Sequence, residues 1–326
     1  MLLSLALERQ VLFFGGKGGV GKTTLASATA LLAARRGRRV LLVSTDPAHN
    51  LGHLWERTIG PEPVTLCEHL DALEIDPART LDDHLDQVGR SLRRLMPPHL
   101  TAEVDKHLER SREAPGMHEA ALLERLAQTL IDGQRQYDLL VFDTAPSGHT
   151  ARLMALPEMM TTWTEGLLRQ RERSDRLTAA LRGAGGDDDV GSRIIGQDSP
   201  QDRDSMIRTL LNRRRERFAV LRDTVADATR SGFVIVLAAE RLPVLETIEF
   251  EQQLRRAGVS VAGLVVNKRM PAEAGAFFAE RLVQEQGYLE QLQQTLPHLP
   301  IQQVAMQRLE VTGEAGLQAL VEQLER

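Results

Sequence analysis

The sequence predicts an α/β fold, a parallel sheet domain interrupted by an inserted α-helical subdomain. Three observations predict it. Four short apolar runs rich in β-branched or aromatic residues, at 11–14, 40–43, 139–142 and 233–237, are each followed by a turn and a helical pattern, as buried parallel strands read in sequence. Two of those helical patterns close on a glycine. The stretch 157–230, in contrast, has no strand signal and carries long, charged helical patterns.

In chain order, strand 11–14 runs through a glycine-rich turn into a helix over 22–36. Gly37 ends this helix, because glycine just past a last turn accepts the left-handed conformation. After strand 40–43, a weaker strand at 73–75 precedes a helical section over 80–134, broken at Pro97 and Pro98 and again at Pro115 and Gly116. Beyond strand 139–142, Met160, Trp163 and Leu167 share one helical face, as do Ile207, Leu211, Phe218 and Val225. Between those patterns, 183–202 is too polar and glycine-rich to pack and is expected to be a mobile loop. Strand 233–237, a helix over 246–257 closed by Gly258, and weaker strands at 264–266 and 301–304 complete the chain. The expected organisation is one unit, with a sheet domain over 1–156 and 231–326 and a helical subdomain over 80–134 and 157–230.

Composition excludes several function classes. The 326 residues carry 40 Lys and Arg against 45 Asp and Glu, a formal net charge of -5, so no uniform surface for nucleic acid is indicated. The single cysteine, Cys67, excludes an intrachain disulfide, a CxxC zinc site and a cluster held by one chain's thiolates, and fits a reducing compartment. No apolar run reaches the about 18–20 residues of a membrane span, and residues 1–7 have no basic leader or sufficient apolar core for a signal peptide. A cytoplasmic protein is expected, with any membrane role exercised through a partner.

Directly after the first strand stands GGKGGVGKTT, residues 15–24, which contains G-x-x-x-x-G-K-T and opens a helix. Glycines let the backbone fold tightly enough for several N–H groups to face one phosphate, and the helix N-terminus adds partial positive charge. Gly16, Gly18, Gly19, Val20, Gly21 and Thr24 would form the cradle, Lys22 would neutralise the β- and γ-phosphates, and the Thr23 hydroxyl would ligate Mg²⁺. Nucleotide binding on a P-loop NTPase domain follows. Lys17 is extra, since the cradle has no need of it. Two further strings follow strands: STDPAHNLGHLW after the second and DTAPSGHTARLMALP after 139–142. A carboxylate at the carboxyl end of a parallel strand beside a phosphate loop is placed to hold Mg²⁺ waters or orient an attacking water, and Asp46 and Asp143 both qualify.

The loop GGKGGVGKTT resembles the deviant phosphate loop (deviant Walker A motif) of the ATPases that include ArsA, MinD, ParA and the nitrogenase iron protein. DPAH and DTAPxGHT are similar to the switch segments of the ArsA family, which comprises the arsenical pump-driving ATPase and the eukaryotic tail-anchored-protein targeting ATPase. The resemblance spans nearly the whole chain and is weakest over 169–230. It implies an ATP hydrolase working as a homodimer, in which Lys17 reaches the partner's phosphates. Asp46 would then position or deprotonate the hydrolytic water, and Asp143 would be the water-linked Mg²⁺ aspartate. Pro47, His49, Pro146, Gly148 and His149 would belong to the switch segments that relay nucleotide state to the helices. By the same resemblance Glu240 lies near the nucleotide and Asn267, in VVNKR, contacts adenine, so the cofactors are ATP and Mg²⁺. The segment after Pro300, where relatives often carry a proline-containing base lid, has no proline here.

Three cellular roles are compatible with such a switch. The first is delivery of hydrophobic membrane-protein clients, tail-anchored or other, to a membrane receptor. Apolar faces around Met159, Met160, Trp163, Met206, Ile207 and Leu210 would shield the client, although such faces also form bundle cores. In the second, the ATPase energises a membrane pump for arsenite or antimonite. Trivalent arsenic favours about three thiolates, whereas a homodimer offers only its two copies of Cys67. The third is a chaperone or regulator without targeting.

Overall fold

The computed structural model describes residues 1–46, 50–95, 101–112, 116–144, 200–271, 275 and 278–325. In chain order these form α1 (Leu2–Glu8), β1 (Val11–Gly16), α2 (Lys22–Arg35), β2 (Val40–Ser44), α3 (Asn50–Trp55), β3 (Val64–Cys67), β4 (Leu70–Glu74) and α4 (Pro77–Leu95). There follow α5 (Thr101–Arg112), α6 (Met117–Gly133), β5 (Leu139–Asp143), α7 (Pro200–Ala226), β6 (Ser231–Ala238), α8 (Arg241–Arg256), β7 (Val261–Arg269), α9 (Ala279–Thr295), β8 (Ile301–Ala305) and α10 (Gly313–Leu324). One eight-stranded sheet has the order β3-β4-β2-β5-β1-β6-β7-β8. All its pairings are parallel except that of the edge strand β3 with β4.

The strands are apolar throughout because both faces are covered. Alternate residues divide between two cores, as the two-residue period of a strand requires. Leu12, Phe14, Leu42, Val141 and Val236 face α1, α2, α3 and α10, whereas Val11, Phe13, Val43, Phe142 and Ile235 face α6, α7, α8 and α9. On the second face Phe13 stacks between Phe142 and Phe233, at 5.0 and 6.2 Å between ring centres, and Phe233 meets Phe250 of α8 edge-on at 5.7 Å. Each such pair adds about 0.5–1.5 kcal/mol beyond area burial, so the ladder fastens α8 to the centre of the sheet. The expected apolar face of α7 divides: Phe218 and Val225 are buried in this sheet core, while the side chains of Ile207 and Leu211 lie outside the described residues, as do those of Met206 and Leu210.

Several boundaries have local causes. Asp76 caps α4 by accepting the backbone N–H of Ala78 at 2.8 Å and of Arg79 at 3.3 Å, and Pro77 occupies the first helical position, where no N–H is needed. Of the loop expected over 183–202, the last three residues correct the reading. Pro200, Gln201 and Asp202 open α7, since proline pre-sets a first-turn φ; residues 183–199 lie outside the described residues. The first residues form a helix, α1, with Leu2, Leu5 and Ala6 buried; Arg38 fastens its end by donating to the carbonyls of Ala6 and Arg9 at 2.6 and 2.8 Å. Among the described residues, no helix is long and apolar enough to cross a membrane.

Candidate functional site

β1 is the central strand flanked by β5 and β6, so the loop leaving it lies where the chain's connections diverge, the position at which open α/β sheets bind ligands. Gly21 precedes α2 with φ 92°, and a Cβ there would run into Asn267 Nδ2. A side chain is excluded twice, by backbone conformation and by space. Gly21→Ala should therefore lower the melting midpoint of the protein, by a free energy of about 1–3 kcal/mol, and weaken nucleotide binding in calorimetric titrations; unchanged values for both would show that the loop can shift freely.

Lys22 is buried and its Nζ donates to the Lys17 carbonyl at 3.2 Å. Burial holds its pKa below the ordinary lysine value, against the opposing pull of Asp143 and Asp46. The Thr23 hydroxyl donates to Asp143 Oδ2 at 2.7 Å. Asp143 has no exposed surface, and its Oδ1 has no hydrogen-bond partner among the described residues. Burial pushes its pKa up to about 7, resisted by the Thr23 hydroxyl and by Lys22. On the neighbouring strand Ser44 Oγ accepts the backbone N–H of Asp46 at 3.3 Å, and Asn50 Nδ2 lies 3.4 Å from Asp46 Oδ2. α3 keeps this wall in place: Trp55 Nε1 donates to Ser27 of α2 at 3.2 Å, and the Gly52 N–H donates to buried Glu74 at 3.0 Å.

These groups open on a cleft of about 850 Å³, within the range of small-molecule sites. Its floor is Gly18, Gly19, Gly21, Lys22, Thr23 and Thr24; Asp46, Asn50 and His53 form one wall and Asn267 and Lys268 another. The segment from Ala305 to Thr312 closes a third side, with Met306 and Leu309 exposed. The donors at the inner end are oxygens with one orphaned, buried carboxylate atom, a set that suits a hard cation such as Mg²⁺. No group of three or more His, Cys, Asp or Glu able to hold a metal occurs among the described residues.

The sequence-predicted residues fall into three groups. Gly16 ends β1, and Val20 is buried within the loop; with Gly18, Gly19, Gly21, Lys22, Thr23, Thr24, Asp46, Asp143 and Asn267 they surround the cleft or support it. Lys17 and Glu240 do not line it. Lys17 Nζ lies 2.8 Å from Glu246 Oε1 of α8, both side chains being partly exposed, and Glu240 pairs with Arg281 at 2.6 Å. Pro47, His49, Pro146, Gly148 and His149 lie outside the described residues, together with Met159, Met160 and Trp163. Sequence reasoning missed Lys268, whose Nζ donates to the Gly19 carbonyl at 2.8 Å, and the wall residue Asn50. Cys67 ends edge strand β3, half-buried, with its thiol pKa raised chiefly by burial and next by Glu314.

The family model described as anion-transporting ATPase, ArsA_ATPase, matches residues 9–326. The chain is 28% identical over 305 residues to the putative arsenical pump-driving ATPase 2 of Aquifex aeolicus, covering 93% of this chain and 95% of that protein. It is 30% identical over 335 residues to ATPase ASNA1 homolog 1 of Paramecium tetraurelia, covering 99% and 95%. With the arsenical pump-driving ATPase of Escherichia coli it shares 30% over 317 residues, 95% of this chain and 48% of the relative. A family match running from residue 9 to residue 326, on a chain folded as a mostly parallel sheet covered by helices, establishes that the chain belongs to the ArsA family of anion-transporting ATPases.

Proposed function

We propose that the chain is a Mg²⁺-dependent ATP hydrolase that acts as a nucleotide-switched homodimer and carries hydrophobic membrane-protein segments. The position of Lys17 carries this reading: its ammonium lies outside its own cleft, on Glu246 of α8, while Lys22 already serves that cleft. A second lysine in a phosphate loop that does not serve its own phosphates is available to those of a second copy, as an inserted transition-state cation.

In the proposed reaction the loop N–H groups and Lys22 bind the β- and γ-phosphates and hold them as charge redistributes. Thr23 and Asp143 would hold Mg²⁺. Bound there, the ion would neutralise phosphate charge as a Lewis acid. Asp46, on the cleft wall beside Asn50, orients the attacking water and accepts its proton. Asn267 takes adenine, whose ring nitrogen and exocyclic amine an amide can pair with; Glu240, paired with Arg281 outside the cleft, has no part in this step. Hydrolysis releases the switch segments that follow Asp46 and Asp143, and the helices reopen.

The carried substrate is a hydrophobic segment rather than a metalloid because the one thiol is a poor ligand. Cys67 lies on the sheet edge, and its burial favours the protonated form over the thiolate that soft metalloids need. The name borne by the Aquifex and Escherichia relatives supports the alternative, a subunit energising an arsenite or antimonite pump. The two readings separate in one assay: ATP hydrolysis measured with and without antimonite, in wild type and Cys67→Ser. No response is expected. Stimulation that disappears in Cys67→Ser would establish metalloid sensing and displace the client reading. In parallel, Asp46→Asn protein locked with ATP should co-purify with single-span membrane proteins; recovery of soluble proteins alone would instead favour a chaperone or regulator.

A further inference from the structure

Asn267 and Lys268 are consecutive in a strand, so their side chains ought to point to opposite faces. They do not. Asn267 Nδ2 donates to the Val20 carbonyl at 2.8 Å and Lys268 Nζ to the Gly19 carbonyl at 2.8 Å. Two backbone features re-aim them. Lys268 has φ 56°, the left-handed region that a non-glycine residue enters only at a cost. The pairing of β7 with β8 also slips between Val266 and Arg269, where the partners are Gln303 and Ala305, so β7 carries one extra residue. Such bulges re-aim side chains and recur beside active sites.

We propose that Lys268 is a positioning residue, spending backbone strain to tether the apex of the phosphate loop to the strand that carries the base-side asparagine. The inference rests on the ATPase reading above and extends it to a residue that reading does not use. The ammonium on the Gly19 carbonyl and the amide on the Val20 carbonyl hold successive loop carbonyls toward β7. Rotation of those peptides is thereby restrained before any ligand arrives. A loop pre-set in this way loses less freedom when phosphate binds, which is gained affinity. Gly21 completes the device, since the Asn267 amide occupies the space where its Cβ would be.

Three variants test this: Lys268→Met, which keeps the stem and removes the ammonium; Lys268→Gly, which removes the tether and the strain together; and Lys268→Arg, which keeps a donor. The Met and Gly variants should raise KM for ATP about tenfold, the scale of one charge-assisted hydrogen bond, with kcat falling less. Calorimetric Kd values for a non-hydrolysable ATP analogue and for inorganic triphosphate should rise by the same factor, because the tether acts on the loop and not on the base. Lys268→Arg should recover most of the loss. The melting temperature of empty Lys268→Gly should equal or exceed that of wild type, since left-handed backbone costs glycine nothing. Wild-type Kd and KM in Lys268→Met, or a loss in Lys268→Gly matched by a falling melting temperature, overturns the positioning role. A wild-type protein that binds no ATP overturns the ATPase reading together with it.

Discussion

Asp143→Asn should stabilise the empty protein at pH 8 while slowing hydrolysis. Asp143 has no exposed surface, one oxygen without a partner among the described residues, and a pKa pushed up to about 7 from an ordinary value of 3.8. The sign follows from linkage. Below the unfolded value both states hold the proton and the neutral carboxyl costs little. Between about pH 4 and pH 7 the unfolded chain releases the proton while the folded protein keeps it, so stability falls as pH rises, and above pH 7 the loss is complete. Three pKa units correspond to at most about 4 kcal/mol. Asparagine mimics the protonated form and should abolish this contribution. Melting curves of wild type and Asp143→Asn should therefore converge near pH 4 and separate toward pH 8, with the variant higher. Parallel profiles at every pH would remove the buried charge as the cause. Mg²⁺ with ATP should reverse the order at pH 8 by supplying the missing counter-charge, and turnover by the variant should fall by roughly two to three orders of magnitude.

Lys17→Ala and Asp46→Asn should each be nearly inactive alone and recover activity when mixed. The loss expected for Lys17→Ala is about a thousandfold in kcat, the lower range for a transition-state cation supplied in trans. ATP affinity should change little, because Lys17 does not line its own cleft. In a mixed dimer, the site of the Lys17→Ala subunit keeps Asp46 and receives Lys17 from its partner. Random pairing then gives roughly a quarter of the wild-type rate, since half of the dimers are mixed and each holds one complete site. An inactive mixture would mean that Lys17 acts within its own subunit. Glu246→Gln provides a control for the latch: it frees Lys17 without removing it, so this variant should retain hydrolysis.

The glycine-rich string at 15–24 and the two strand-end aspartates stood out because each lies in a contiguous string, although the Thr23–Asp143 contact that joins them spans 120 positions. The strands 11–14, 40–43, 139–142 and 233–237 were legible because burial on both faces leaves unbroken apolar runs. β3 was not, since an edge strand with Val64 and Thr65 exposed carries no such run. α1 was missed for a related reason: seven residues give barely two turns, and its stability comes from docking on α2 and from Arg38, which is distant in sequence. The partnership of Glu246 with Lys17 spans 229 positions and so has no local signature. Lys268 was the least legible. Strand periodicity places it away from Asn267, and only a bulge with a left-handed residue brings both to the loop.

The order of strands fixes more than topology. Asp46 follows β2, Asp143 ends β5, the phosphate loop follows β1, and Asn267 stands on β7, with β6 between the last two. From Asp46 to Asn267 there are four strand spacings, about 19 Å at ~4.8 Å each, comparable to the proposed nucleoside triphosphate laid out at length. The sheet thus works as a ruler held perpendicular to its own strands, graduated by backbone hydrogen bonds. Substitutions in either core can change how tightly the helices grip it, but they leave the graduations alone, because no side chain sets them.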